Sequence, residues 1–420
     1  MTSSHRSTEK ISFVSAFWHS YDGLELKRAH PIGNNEKMKK STFFAPSFVL
    51  LCAVAAVPAW AQSSVTLYGV TDEGIAYGNN VGGGSQWSAA SGTMSGSRWG
   101  LKGIEDLGGG LSARFQLENG FNLSNGALGN GGREFGRQAW VGLGSTHYGT
   151  VTMGRQYDPI TDQVQGITGD GVFGAFFTTP GDADNNDNSI RVNNTIKYVS
   201  PMMGGLQAEA MYGFGNVAGS VSSGQTFGGA VSYTAGGLHL AGGYLFTKND
   251  NGSAASSGGF ISDDSLVTAG YGVHAGSFQT AHVAASYAFD NFTVGARYSN
   301  SQYKTYVQTA VFHETEKFNV GSAYLAYQFQ PALSAAINYG FTKSTGAASA
   351  NYHQISAGVD YALSKQTDVY GIVGYTKASG QTLNAGGTAI VAATANVGDY
   401  NTGSSNGKQV LGVVGIRHKF

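Results

Sequence analysis

Hydrophobic and polar residues alternate one by one along most of this chain, in segments of about 9–13 residues, the length of a strand tilted across a bilayer. Phe292, Val294, Ala296 and Tyr298 alternate with Thr293, Gly295, Arg297 and Ser299. Ile355, Ala357, Val359 and Tyr361 oppose Gln354, Ser356, Gly358 and Asp360. Leu111, Ala113, Phe115 and Leu117 oppose Ser112, Arg114, Gln116 and Glu118, and Val192, Ile196 and Tyr198 oppose Arg191, Asn193, Thr195 and Lys197. Successive side chains of a strand point to opposite faces, and helical spacing fits these stretches less well. Segments 64–78, 135–143 and 150–157 alternate poorly, which leaves two expectations for them: a face against partner subunits, or against a plug.

The connections alternate too. Short ones carry turn chemistry at Asp106–Gly110, Ser145–Gly149, Pro201–Gly205, Ala235–Gly237, Asp290-Asn291, Gln330-Pro331 and Ser364-Lys365. Longer polar loops are expected near 79–94, 122–134, 158–190, 215–224, 248–277, 301–315, 343–351 and 378–407. Seven turns and eight loops separate sixteen strands, so both ends of the chain fall on the short-turn side. The last segment, Val410 to Phe420, puts Val410, Val414, Ile416 and Phe420 on one face and Gln409, Arg417 and Lys419 on the other. Such an apolar edge invites aggregation unless a closed barrel pairs it. The fold expected is all-β: a sixteen-stranded antiparallel transmembrane barrel.

Composition agrees. The 420 residues include 63 Gly, 22 Tyr and 23 Phe but 7 Pro, and charged residues are 12%. That charge is too low for a fully solvated surface, yet mean hydropathy is −0.14, as when only alternate residues meet lipid. A secreted β-sandwich or solenoid would explain strands and turns but neither the charge deficit nor the terminal Phe. The one long apolar run, Phe43 to Val57, follows Met38-Lys39-Lys40 and precedes Ala59-Trp60-Ala61, the three parts of a secretory signal peptide. Residues 38–61 are thus expected to be removed, 1–37 to be an over-called translation start, and 62–420 to form the barrel. The single Cys52 falls in the signal peptide, after Leu51 rather than a small residue, which argues against lipidation. Residues 62–420 keep 18 basic side chains (25 less 7) and 22 acidic (26 less 4), a net charge of −4 that suggests no nucleic-acid partner.

Several motifs then stand in order: Ser64-Val-Thr-Leu-Tyr-Gly-Val70, Ser97-Arg98-Trp99-Gly100, Glu105 to Leu111, Phe135-Gly136-Arg137-Gln138-Ala139-Trp140, Gly154-Arg155-Gln156-Tyr157, Arg191-Val-Asn-Asn194, Lys197-Tyr198, and Gly415-Ile-Arg-His-Lys-Phe420. With these, residues 64–420 resemble the general porins of β-proteobacteria, the trimeric sixteen-stranded family of Burkholderia, Comamonas and Neisseria relatives. The resemblance implies a third loop folded into the barrel, narrowing it to an eyelet with acids on the loop facing basic residues on the wall. It matches Arg98, Arg137 and Arg191 to the family's eyelet arginines. It also implies that Phe420 is read by the barrel assembly machinery, and that the chain forms a homotrimer in outer-membrane lipid.

The residues themselves add to this. Six of the eight Arg in 62–420 flank segment 158–190. Arg98 shares a face with Lys102, opposite Trp99 and Leu101, and a charge on the lipid face would cost about 2–4 kcal/mol at the midplane, so both should face the lumen. Arg114 belongs to the same basic set. Arg137 alternates with Ala139, Val141 and Leu143, which argues for the opposite face. Segment 158–190 carries Asp162 and Asp170, the candidates for the acidic side, and its interior from Gly166 to Phe177 is too apolar for a simple surface loop. Asp182, Asp184, Asn186 and Asn188 have EF-hand-like spacing, but Asp187 and Asn193 stand where Gly and Glu are needed, so a polar loop tip is expected. There is no paired-His zinc motif. The reading is a cofactor-free, weakly anion-selective diffusion channel for small hydrophilic solutes and ions. The alternatives are a barrel for adhesion or attachment through its long loops, and an outer-membrane enzyme.

Overall fold

In the computed structural model of the chain, residues 63–250, 267–306, 308–400 and 402–420 are described. Segments 1–37 and 38–61, read as an extension and a signal peptide, lie outside them. The first strands are β1 (Ser64–Val81), β2 (Gly84–Ser91), β3 (Arg98–Gly108), β4 (Leu111–Gly120), β5 (Gln138–Ser145) and β6 (Gly149–Gln156). Next come β7 (Val192–Val199), β8 (Leu206–Gly213), β9 (Thr226–Ala235), β10 (Leu238–Lys248), β11 (Ala275–Phe289) and β12 (Phe292–Thr305). The last are β13 (Glu316–Gln330), β14 (Leu333–Thr345), β15 (Ala350–Ala362), β16 (Thr367–Leu383), β17 (Ile390–Ala392) and β18 (Lys408–Lys419).

Neighbours pair antiparallel around the sheet, and β1 closes on β18 with Val70 opposite Lys419 and Gly78 opposite Leu411. Closure leaves no edge, so every backbone polar group in the wall can be paired away from water. β2 and β3 are two halves of one barrel strand, since β2 pairs Glu73–Val81 and β3 pairs Ser64–Val70 of the same partner. β17 pairs only with the extension of β16, leaving a sixteen-strand barrel.

Alternation fixes the two faces. On β12, Tyr298 and Val294 point outward and are exposed, while Arg297 and Ser299 are buried inside. On β18, Val414 and Ile416 are exposed outward and Gln409 and Arg417 buried. The poorly alternating segments are wall strands, with Val65, Leu67, Val141, Leu143 and Met153 exposed on the outer side. Glycines on the inner side, such as Gly142 and Gly144, blur their pattern.

Three expectations change. Residues 79–94 are not a long loop: Gly82 and Gly83, at φ +60° and +106°, make a tight turn, and the strand runs on to Ser91. The irregular stretch is 92–97, which turns inward, where Asp72 Oδ2 accepts the N–H groups of Met94 and Ser95, both at 2.8 Å. The loops expected at 301–315 and 343–351 are shorter, because β12 extends to Thr305 and β14 to Thr345. Val192, expected opposite Arg191 and Lys197, is fully buried on the inner side with Ile160 and Val164. A bulge causes the switch: Gly154 faces Thr195 but Gln156 faces Val192, and Asn194 takes φ +55°.

Candidate functional site

The segment after β6 folds into the barrel. Asp158 caps the short helix Pro159–Gln163 by accepting from Ile160 N–H at 2.8 Å, and its other oxygen accepts from Asn185 at 2.9 Å. Burial pushes the Asp158 carboxyl up to about 6. Further along, Phe173 and Phe177 stack at 5.2 Å and, with Phe176, join an apolar cluster with Ala76, Ile372, Leu411 and Val413 of the inner wall. A Cβ on Gly358 would lie 2.5 Å from Phe173, so only glycine leaves room for that ring. Gln354 donates to the carbonyls of Phe176 and Thr178 at 2.8 and 2.9 Å, which satisfies backbone groups that an internal loop would otherwise strand.

A second tether lies at Asp184, expected at a polar loop tip but fully buried. Arg297 donates to its carboxylate at 2.5 Å, and Ser299 to the same oxygen. Burial alone would raise the Asp184 carboxyl; the Arg297 charge overrides it and holds the group well below the usual range. Asp182 accepts from the N–H groups of Asp187 and Ser189. The EF-hand-like residues therefore serve the loop's own packing, and no metal-holding cluster of acids and histidines occurs among the described residues.

Facing this loop, Arg98 and Arg137 converge on the carboxylate of Glu118, and Arg191 stands beside them over the Tyr157 ring. Arg98 and Glu118 share the inner face because Arg98 lies opposite Gly120, and Gly100 opposite Glu118. Arg137 Nε donates to Glu118 Oε1 at 2.7 Å, and Arg98 Nε stands 3.9 Å from Oε2. The Tyr157 and Tyr68 hydroxyls donate to the same carboxylate at 2.8 and 2.9 Å. Arg137 and Arg191 each hold a guanidinium 5.6 Å from the Tyr157 ring. Burial, and next the Arg137 charge, work against the charge on Arg191. Arg137 reaches the inside because it precedes β5, so the alternation that begins at Gln138 does not bind it.

The remaining candidates scatter. Lys102 lies on the same inner face, 5.2 Å from the Tyr68 ring. Arg114 sits four residues below Glu118 on β4, bonded through Nε to Ser112 Oγ at 2.9 Å, and does not join the cluster. Asp162 pairs with Lys197, which also lies 3.3 Å from Glu209, so this loop acid meets a basic wall residue other than the arginines. Asp170 is buried, with Gln165 donating to it at 2.6 Å and to Asp187 at 3.2 Å. Burial, then Asp187, raise the Asp170 carboxyl well above its ordinary value, and burial with Asp187 and Asp184 pushes Asp182 up to about 7. Phe420 exchanges two backbone hydrogen bonds with Gly69 at the closing seam. Sequence reasoning did not single out Glu118 or Tyr157. The alternation put Glu118 on the face of Gln116, but only the strand register sets it between Arg98 and Arg137.

Known proteins match this architecture. The profile of a family described as "Gram-negative porin" matches residues 47–381. Outer membrane porin protein 32 of Delftia acidovorans is 30% identical over 386 residues, 89% of this chain and 99% of that protein. The major outer membrane protein P.IB of Neisseria meningitidis serogroup B is 26% identical over 402 residues, covering 91% and 100%. Among solved structures, the anion-selective porin from Comamonas acidovorans superposes with a TM-score of 0.66 at 26% identity, covering 86% of this chain and all of that one.

Proposed function

Because the chain belongs to the Gram-negative porin family, we propose that the basic cluster beside the internal loop is the constriction of its channel and makes it weakly anion-selective. The protein is an outer-membrane general-diffusion porin, a passage for small hydrophilic solutes and ions. The carrying observation is that Arg98 and Arg137 share the carboxylate of Glu118 while Arg191 stands beside them over the Tyr157 ring. Of the loop acids, Asp187 acts on Arg191 and offsets part of this charge, whereas Asp162 and Asp184 are spent on Lys197 and Arg297, and Asp170 and Asp182 are pushed towards their neutral forms. Ions feel charge at a narrow, low-dielectric site most strongly, so this local excess outweighs the net charge of −4. Lys102 extends the basic face, Asp162 and Asp170 line the loop side, and Arg114 lies towards the turn-side mouth.

Selectivity here is a matter of size and field; the reading requires no cofactor and no reaction. It includes a homotrimer, a signal peptide cleaved before Gln62, and Phe420 as the residue read by the barrel assembly machinery. Single-channel recording in a salt gradient tests the core of it. The Arg98→Ser/Arg191→Ser double variant should conduct, with its reversal potential shifted towards cations. An unchanged reversal potential would overturn the assignment.

A further inference from the structure

Asp72 lies on the inner face of β1 with Val70 and Ala76, yet none of it reaches the channel, because residues 92–97 leave the wall and cover it. The register shows where they leave. Ser91 still faces Glu73 and Arg98 already faces Val70, so pairing to β1 lapses beside Asp72. The excursion is pinned at both ends to the Asp72 backbone. Gly92 N–H donates to the Asp72 carbonyl at 2.9 Å, and the Ser97 hydroxyl donates to that carbonyl and accepts the Asp72 N–H, both at 3.1 Å. Its middle is held by the side chain: Oδ2 accepts the N–H groups of Met94 and Ser95, and Oδ1 accepts the Tyr370 hydroxyl at 2.6 Å. Arg417 Nη1 donates to Ser95 Oγ at 3.0 Å. The Asp72 carboxyl thus satisfies backbone donors that an excursion into the barrel would otherwise strand.

These six residues touch both the internal loop and the basic cluster. On the loop side, the Thr93 carbonyl accepts Ala175 N–H at 3.1 Å. Gly174, at φ +61°, packs so closely that a Cβ there would stand 2.6 Å from the Thr93 oxygen and 2.7 Å from that of Met94. Met94 also joins the apolar cluster of Phe173, Phe176 and Phe177. On the other side, the Gly96 carbonyl accepts Arg98 Nη1 at 2.9 Å, and a Cβ on Gly96 would lie 3.3 Å from Arg137 Nη1. Residues 92–97 are therefore a spacer, with the loop against Thr93 and Met94 and the arginines against Gly96. We propose that Asp72 is a positioning residue of the channel: by shaping this spacer it sets the gap between loop and arginines, and with it the size of solute that passes. It acts as a hydrogen-bond acceptor and not through its charge. The proposal rests on reading the basic cluster as the constriction.

The test uses the assembled barrel in liposomes, with swelling rates in arabinose and in the larger sugar raffinose, both uncharged. Asp72→Ala leaves the Met94 and Ser95 N–H groups without their acceptor, so the spacer should lose its shape and the raffinose-to-arabinose rate ratio should rise severalfold. Its reversal potential should shift towards cations, because Arg98 loses its anchor on Gly96. Asp72→Asn should rescue both: its amide oxygen can accept the two N–H groups while its NH2 donates to the Tyr370 oxygen. If Asp72→Ala fails to close, as judged by gel mobility before and after heating, Gly174→Ala is read in its place. Its Cβ forces the loop off the Thr93 carbonyl and should raise the same sugar ratio. An unchanged ratio in the closed variant overturns the proposal. So does an Asp72→Asn variant that matches Asp72→Ala, since charge would then be what counts. A reversal potential that responds to Arg98→Ser/Arg191→Ser while the sugar ratio ignores Asp72→Ala sinks the spacer alone; one that ignores the arginine pair sinks the constriction reading.

Discussion

The ring of Phe420 lies over Gly69. The two residues exchange backbone hydrogen bonds of 2.9 and 3.1 Å across the closing seam, and a Cβ on Gly69 would stand 2.4 Å from the ring and 2.7 Å from the Arg98 carbonyl. The second contact is with backbone and cannot swing away. Gly69→Val should therefore cost about 1–3 kcal/mol through overpacking and backbone shift. Refolding yield into detergent, followed by heat-modifiable gel mobility, measures it. Deleting Phe420 should instead lower surface levels in cells far more than refolding yield in detergent, where no machinery reads the terminus. Equal losses in both settings would count against the assembly role.

Glu118→Gln keeps the shape of the side chain but removes the negative charge that Arg98 and Arg137 share. The reversal potential should move further towards anions, opposite in sign to the arginine variants, at low salt most strongly. Tyr157→Phe, which removes one hydrogen bond to Glu118 and keeps the ring, should move it little.

The buried carboxyls of the internal loop give a pH dependence whose sign is determined. Asp182 is raised from its ordinary 3.8 to about 7 by burial and by its acidic neighbours, so the folded state holds this proton longer than the unfolded chain. The associated stability is fully present below about pH 4 and is lost as pH rises through about 7. Asp170 shifts in the same direction. Anion selectivity should weaken as pH climbs past neutrality and these acids ionise. Asp182→Asn should flatten that dependence, as a pH series of reversal potentials would record.

Arg297 and Asp184 tie the loop to the wall at a site closed to solvent. Removing one partner leaves a buried charge unpaired, which costs about 3–5 kcal/mol. Asp184→Leu should accordingly give noisier and more variable single-channel currents as the loop loosens. The Asp184→Leu/Arg297→Met double, with no stranded charge, should be quieter than either single variant.

The barrel was legible in the sequence because inside and outside differ at every second residue, and residues such as Ile355 and Gln354 declare their faces without knowledge of any partner. Turn chemistry supplied the strand number. Two kinds of feature escaped. Val192 crossed to the inner face because a bulge at Asn194 added a residue to one strand, and nothing in a two-residue pattern announces a bulge. Glu118 and Tyr157 acquired their meaning from register and from a loop that returns through the interior, relations between residues far apart in the chain. Arg137 was misjudged by alternation for a simpler reason, since it stands one residue outside the strand that the pattern describes.

The phenylalanine knob of the internal loop has a kinetic implication. Phe173, Phe176 and Phe177 share one apolar cluster with Ala76 of the first strand and with Leu411 and Val413 of the last. The knob thus shares one apolar cluster with both edges that must meet when the cylinder shuts. An open sheet would offer it only one of the two, so its full burial arrives only with closure, through contacts of very high contact order. Joining the seam is then a slow, late step that the knob both gauges and rewards. Shaving these rings should slow barrel closure and leave early hairpins untouched.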